Sequence, residues 1–238
     1  MKRNLLSVSL LLLAIFILVA CGKNSEVSYN YDSFENESEV EEFQPETNGL
    51  KILESGYGID EDNEVSVGVI YENTSEKTAY EMAELTITAY DKNGDVLATD
   101  SSFLGTILPG DTHAATDRYI DCKGQKPDKV EFSIDSGEGE QASSVRDCVL
   151  SSNIEVLQAK ERENNFLGRK EISITGKIKN NSELNLSGVY INVLFKKDSK
   201  IVFGCSDFVE YLDAGAEKAF DIDAGYVPAY DSFIVMVN

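Results

Sequence analysis

The chain contains no tryptophan and only one histidine, His113, among its 238 residues. Zinc sites and Ser-His-Asp triads depend on histidine, so we interpret His113, which follows a Pro-Gly turn, as a surface or turn residue. Without tryptophan, the aromatic platforms of a sugar site would have to come from tyrosine and phenylalanine. The sequence also lacks a Gly-rich phosphate loop, a Gly-x-Ser-x-Gly elbow and a Ser-x-x-Lys motif. These absences argue against an enzyme, and we expect no cofactor.

Positive charge is also scarce. The chain has 21 Lys and Arg against 42 Asp and Glu, a net charge of −21. A surface of that sign is repelled by phosphate backbones, so we expect no nucleic-acid partner. The abundance of carboxylates is the only observation that would favour an acid-based hydrolase. We expect two small β-domains, which would leave little room for a deep cleft.

The N-terminus carries the strongest local signal. Lys2 and Arg3 precede an uncharged apolar run that ends at Ala20, which is shorter than the ~20 residues that a spanning helix needs. The run closes as Leu18-Val19-Ala20-Cys21-Gly22. This segment resembles the lipobox of bacterial lipoproteins. The resemblance implies that residues 1–20 are a signal peptide, that cleavage occurs before Cys21, and that Cys21 carries diacylglycerol.

A diacylated Cys21 would anchor the protein on the extracytoplasmic face of the cell membrane, because two acyl chains hold stably where one does not. The alternative is an uncleaved membrane helix with an incidental cysteine. Residues 21–48 are rich in Glu, Ser and Asn without a helical or strand period, so we expect a disordered acidic tether.

Short alternating segments begin after the tether. Val65, Val67 and Val69 alternate with other residues, and Asn93-Gly94 is a strong hairpin signal. No convincing 3.6-residue period is present, so the sequence predicts an all-β protein. We expect two immunoglobulin-like β-sandwiches, one over residues 49–136 and one over residues 150–238, joined by a linker over residues 137–149.

An internal duplication supports the two-domain prediction. The stretch Gly68–Ser75 matches Gly176–Glu183, with Asn73 opposite Asn181, and later segments match at offsets that fall to 103 residues. A duplication explains these matches better than chance.

The repeats resemble the FxLYD family of bacterial extracytoplasmic domains. The first copy reads Ile87-Thr88-Ala89-Tyr90-Asp91 and the second reads Asn192-Val193-Leu194-Phe195-Lys196. Both copies depart from the family pattern at the leading aromatic, and the second also lacks the Tyr and Asp. The resemblance implies a β-sandwich in the cell envelope and no catalytic residues.

Three cysteines remain after Cys21. Cys122 and Cys148 flank the last predicted strand of the first unit and are a candidate disulfide, which export permits. Cys205 lies in an apolar strand and is interpreted as a buried thiol. The alternative is that Cys122 and Cys148 are unpaired thiols as well.

Two acidic loops are weak calcium candidates. One contains Asp60, Asp62 and Glu64, and the other contains Asp91, Asn93 and Asp95, whose alternation is typical of part of a calcium loop. No Glu stands at the spacing that the full motif needs. The alternative interpretations are a solvated acidic loop and an ordinary hairpin turn.

The segment 159–171 is a candidate contact loop of the second unit. Its candidate contact residues are Lys160, Arg162, Phe166, Leu167, Arg169 and Lys170. The alternative is a solvated variable loop. The sequence therefore predicts a lipid-anchored protein that is not an enzyme and that either binds an envelope or extracellular protein or has a structural role in the cell envelope. The competing hypothesis is an accessory protein that binds a cation or a small ligand.

Overall fold

The computed structural model describes residues 49–60, 63–166 and 169–238. Within these ranges the protein is all-β, as predicted, and no helix is long and apolar enough to span a membrane. The predicted signal peptide, Cys21 and the predicted tether lie outside the described residues. The strands are β1 (Leu50–Ile59), β2 (Glu64–Asn73), β3 (Thr78–Tyr80), β4 (Glu84–Tyr90), β5 (Val96–Phe103), β6 (Thr112–Asp121), β7 (Lys129–Asp135), β8 (Gly139–Gln141), β9 (Ile154–Phe166), β10 (Arg169–Asn180), β11 (Leu186–Lys197), β12 (Lys200–Leu212), β13 (Glu217–Gly225) and β14 (Ser232–Val237).

Each repeat consists of two antiparallel three-stranded sheets. In the first repeat the strand orders are β1-β2-β6 and β5-β4-β7, and in the second they are β9-β10-β13 and β12-β11-β14. Alternate residues of facing strands fill the space between the sheets, as the period of two predicts. Val67 and Ile87 belong to the first core, and Ile174 and Val193 to the second.

The two repeats have the same topology, but their register differs from the sequence match by one residue. Asn73 is equivalent to Asn180, not to Asn181. Asn73 N–H donates to the carbonyl of Asp111 at 3.0 Å, and Asn180 N–H donates to that of Ala216 at the same distance. Because successive side chains of a strand point to opposite faces, this slip would have assigned β10 to the wrong faces.

The paired asparagines hold the same buried turn in both repeats. The Asn73 side-chain amide donates to the carbonyls of Thr78 and Ile107, and its Oδ1 accepts from the N–H and hydroxyl of Ser75. In the second repeat Asn180 bonds Ser182 in the same way and donates to the carbonyls of three residues, Leu184, Leu212 and Asp213. Both side chains are fully buried.

The segment predicted as a linker is ordered against the first repeat. Its strand β8 pairs with β3, and Ala142 N–H donates to the carbonyl of Lys77 at 2.8 Å. Two 3₁₀ turns, Ala142–Ser144 and Ser151–Asn153, lead from β8 into β9.

The sheet β1-β2-β6 packs its outer face against the outer face of β12-β11-β14, so the described residues group into one compact unit. Ile70, Ala114, Leu194 and Ile201 form a third apolar cluster between the repeats. This packing explains why β2 is buried on both faces, with only its two Glu residues half-buried.

Glycines bring the two sheets to close approach. A Cβ built on Gly56 would lie 1.9 Å from the carbonyl oxygen of Ile201, and one built on Gly204 would lie 2.3 Å from that of Val67. Glycine at these positions therefore allows backbone to approach backbone. At one end of the contact, the Arg118 guanidinium donates to the carbonyls of Asp223 and Ala224 and stacks over Phe203.

Candidate functional site

The junction of the two repeats contains a cleft of about 280 Å³, which we call the junction cavity. The loop before β6, the end of the linker segment and the starts of β9 and β11 all contribute to it. The residues that form its wall are Gly105, Thr106, His113, Arg146, Asp147, Cys148, Val149, Ile154, Leu186, Ser187, Gly188, Val189, Tyr190 and Asn238. Neither repeat forms this cavity alone.

His113 is buried in this wall, with 6% of its side chain exposed. The interpretation of His113 as a surface or turn residue was therefore wrong. Its ring lies edge-on to Tyr71, with centroids 5.9 Å apart, because β6 pairs with β2 and places Tyr71 opposite His113. His113 lies on the same face of β6 as Ala115, and both stand opposite core residues of β2, so alternation along β6 places the His113 side chain on the inner face of the first repeat.

Asp111 joins His113 to the start of the second repeat. Its Oδ2 lies 2.9 Å from His113 Nε2 and accepts the N–H of Ser151 at 2.8 Å, and its Oδ1 accepts the hydroxyl of Ser151. Burial alone would raise the pKa of Asp111, but the hydrogen bonds from His113 and Ser151 leave its pKa below the ordinary value. Asp111 is therefore an ionised acceptor at neutral pH.

These three side chains do not form a catalytic triad. In a triad the serine hydroxyl bonds the imidazole, which in turn bonds the carboxylate. Here the Ser151 hydroxyl bonds Asp111 directly. The arrangement positions His113 and fixes the entry of β9, without activating a nucleophile.

An exposed aromatic cluster borders the junction. Phe103, Tyr190 and Phe208, which we call the aromatic patch, are 66%, 48% and 49% exposed. Tyr190 and Phe208 stand opposite each other on β11 and β12, with ring centroids 5.0 Å apart. Phe103 and Tyr190 line a second cleft of about 140 Å³, so the patch includes residues of both repeats around one cleft. The sequence pattern gave no signal for this grouping.

The predicted disulfide is wrong. Cys122 and Cys148 are free thiols. Cys122 follows the end of β6, whereas Cys148 lies beside Asp111, which precedes the start of β6. Ten strand residues span about 30 Å, and a disulfide needs Cα atoms within about 7 Å. Burial raises the pKa of all three described thiols, that of Cys205 to about 12, so they are weakly reactive.

The calcium candidates are engaged in their own turns. Asp91 Oδ1 accepts the N–H groups of Asn93 and Asp95 at 2.7 and 2.9 Å, and these backbone hydrogen bonds lower its pKa. Asp60 Oδ1 accepts the N–H of Glu64 at 2.9 Å, and Asp62 lies outside the described residues. Across residues 49–60, 63–166 and 169–238, no group of three or more His, Cys, Asp and Glu side chains is arranged to hold a metal.

The predicted contact loop is a β-hairpin, and the loop assignment was wrong. β9 and β10 pair as far as Phe166 and Arg169, beyond the last pair of β10 with β13. Arg162 pairs with Asp221 at 2.9 Å and Lys170 with Glu163 at 2.5 Å, so two of its cations are neutralised locally. Lys160 is exposed on β9, and Leu167 lies outside the described residues.

Comparisons with known proteins add no assignment. No family model matches the chain, and no curated protein matches it.

Proposed function

We propose that the protein is a lipoprotein held by the lipid on Cys21 at the extracytoplasmic face of the cell membrane, and that its two-repeat body is a non-enzymatic interaction module. The lipobox-like segment and the acidic composition support the location and anchor. Membership of the FxLYD family and an immunoglobulin-like topology are part of this proposal, motivated by the repeated motifs.

The aromatic patch is the observation that supports binding of a protein. Single exposed aromatics are normal, but a continuous group that borders a cleft is typical of a protein-binding surface. Glu210 lies two residues from Phe208 on the same face of β12, and the chain as a whole is strongly acidic. We therefore propose as partner an extracytoplasmic protein segment with apolar side chains flanked by Lys or Arg.

The anchor and the partner are tested separately. Metabolic labelling with an alkyne fatty acid should tag the wild type and leave Cys21→Ser untagged. A wild-type protein without the tag would end the anchor proposal, whereas the partner proposal would still stand.

To test the partner, a photo-cross-linker is placed at Leu184, which lies on the second repeat but outside the patch. It should capture one protein from solubilised envelopes, and the cross-linked segment of that protein should be apolar with flanking Lys or Arg. The double change Tyr190→Ser with Phe208→Ser should abolish capture. The matched change Tyr226→Ser, at a residue 51% exposed elsewhere, should leave capture intact. Capture that survives the double change would reject the aromatic patch as the binding surface.

The competing function is binding of a small ligand. The junction cavity, rather than the acidic loops, is the feature that favours it.

A further inference from the structure

A cleft of about 390 Å³ lies in the second repeat, beside the loop between β13 and β14. Its wall includes Tyr226 and Tyr230 from that loop, Glu161 from β9 and Ile172 from β10, and we call it the tyrosine cleft. This volume lies within the ~300–1,000 Å³ that is common for pockets that hold small molecules. Because all of these elements belong to the second repeat, the tyrosine cleft is separate from the junction cavity and from the aromatic patch.

The loop that carries the two tyrosines is held in place by its end and by the core. Asp231 N–H donates to the carbonyl of Lys196 at 2.9 Å, which fixes the end of the loop. The ring of Tyr230 makes a T-shaped contact with the core residue Phe195, with ring centroids 4.9 Å apart. Tyr226, by contrast, is 51% exposed. The cleft therefore has one aromatic ring that packing holds in place and one that is open to solvent.

The charge along the tyrosine cleft is negative. Among the described residues no Lys or Arg forms an ion pair with Glu161, which is exposed. Lys170 also lines the cleft, but it is paired with Glu163 at 2.5 Å. Burial, and then the carboxylates of Glu161 and Glu163, raise the pKa of the Tyr230 hydroxyl, so their negative charge acts on this ring. Asp231 adds a further carboxylate to the wall, and the cleft therefore favours a cation over an anion.

The apolar part of the wall narrows the class of cation. Ile172 and Val227 are buried, and Pro228 adds more apolar surface. A primary ammonium brings three N–H donors that apolar surface cannot satisfy. A quaternary ammonium has no N–H donor and presents only methyl or methylene groups. Aromatic rings recognise such groups through their π-faces, and an unpaired carboxylate adds attraction.

The first repeat lacks this combination of side chains. Its equivalent loop, residues 122–128, carries Lys123 and Lys126 and no tyrosine. The place of Glu161 in the strand pairing is taken by Tyr57. Two lysines would repel a cation, so the aromatic and acidic groups come together in one copy of the duplicated fold and not in the other.

We propose that the tyrosine cleft binds a quaternary ammonium group, which packs on the rings of Tyr226 and Tyr230 with Glu161 as its counter-charge. This site adds a small-molecule function to the proposed protein-binding function. It depends neither on the lipid anchor nor on the aromatic patch, so either proposal can fail while the other stands.

Choline is the probe, and its control is the neutral isostere in which a tert-butyl group replaces the trimethylammonium group. NMR titration of the full-length protein in a maltoside detergent should show saturable binding of choline, with signal shifts at Tyr226 and Tyr230. The neutral isostere should bind at least about tenfold more weakly, because it has the shape of choline without the charge. Phosphocholine distinguishes two sources of the group: weaker binding than choline assigns the site to a free cation, and equal or tighter binding assigns it to a headgroup.

Two variants test the residues themselves. Tyr226→Leu keeps apolar bulk but removes the ring, and should weaken choline binding about tenfold. Glu161→Gln should weaken it about fivefold. The matched change Glu155→Gln, at an exposed residue of β9 outside the cleft, should leave it unchanged. Since Tyr226 and Glu161 are exposed, both variants should fold.

Three results would overturn the proposal. The first is a choline titration that does not saturate, and the second is a neutral isostere that binds as tightly as choline. The third is an equal effect of Glu161→Gln and Glu155→Gln, which would show that choline responds to the overall charge of the protein and not to this cleft.

Discussion

Strands β2 and β10 are equivalent in topology, yet β2 is buried on both faces whereas the outer face of β10 is only partly buried. The outward residues Gly68 and Ile70 of β2 correspond to Thr175 and Lys177 of β10. Gly68 lies against Leu194 of the other repeat, whereas Lys177 pairs with Glu217 at the surface. The same fold therefore presents a flat apolar face in the first repeat and a charged face in the second.

In the other pair of equivalent sheets, the outer face of the first repeat is polar and that of the second repeat carries the contact residues. The outward residues of β4 are Glu84, Thr86 and Thr88, whereas those of β11 include Asn192 and Leu194, which contact the first repeat. One face of each repeat has thus become complementary to the other, and the two remaining outer faces are polar. Head-to-tail packing of this kind requires matching outer faces, and the outward residues of β4 and β10 lack the apolar side chains that β2 and β11 use.

The largest effect should come from breaking the close approach of the two sheets. We expect Gly56→Ala to lower the free energy of unfolding by about 3 kcal/mol, because the new Cβ would overlap the Ile201 carbonyl and neither backbone can move freely. Lys160 stands at the equivalent place in β9, and Lys160→Ala should change stability by less than about 0.5 kcal/mol. Urea denaturation measures both. Equal effects would contradict the assignment of β1 to the contact.

Substitution of the two paired asparagines should reduce stability by similar amounts, unlike the substitutions at Gly56 and Lys160. Asn73→Ala and Asn180→Ala should each cost about 2–3 kcal/mol, because each removes a fully buried amide and leaves backbone carbonyls without donors. Chemical denaturation with matched buffers compares the two. A small loss at either position would show that its turn is held by other contacts.

The contribution of this position to stability should depend on pH in the first repeat only, because Ala216 occupies the place of Asp111 in the second repeat. The pKa of Asp111 is lowered in the folded protein, so its contribution is present above the unfolded value of 3.8 and is lost as pH falls below it. Asp111→Asn should therefore reduce the loss of stability between pH 6 and pH 3. If Asp111→Asn leaves the dependence of stability on pH unchanged, the hydrogen bonds of His113 and Ser151 do not lower the pKa of Asp111 in the folded protein.

Two ion pairs provide the finest comparison. Lys196 and Glu54 connect the repeats at 2.6 Å and are 18% and 31% exposed, whereas Lys177 and Glu217 lie on the surface at 3.1 Å and are about half exposed. Lys196→Met should cost about 1 kcal/mol, and Lys177→Met close to zero. Thermal unfolding at low and high salt measures the difference. Equal small losses would show that the contact between repeats leaves Lys196 solvated.

The fold class and the duplication were predictable because strand alternation and turn residues are local signals. The register between the copies was not predictable from the sequence. Asn180 is followed by a second asparagine, Asn181, which aligns with Asn73 as well as Asn180 does but is one position further along. The disulfide failed for a different reason, since nearness in sequence to a strand does not say which end of the strand a cysteine occupies. The contact loop failed because a long hairpin and a long loop have the same polar composition.

By itself the sequence determined an acidic all-β chain with two related halves, since composition and the period of two depend only on neighbouring residues. The tertiary structure alone decided that the halves pack face to face and that the aromatic patch and the junction cavity exist. Each of these features brings together residues from both repeats, and such pairings depend on the shape and charge of whole sheets rather than on any local pattern.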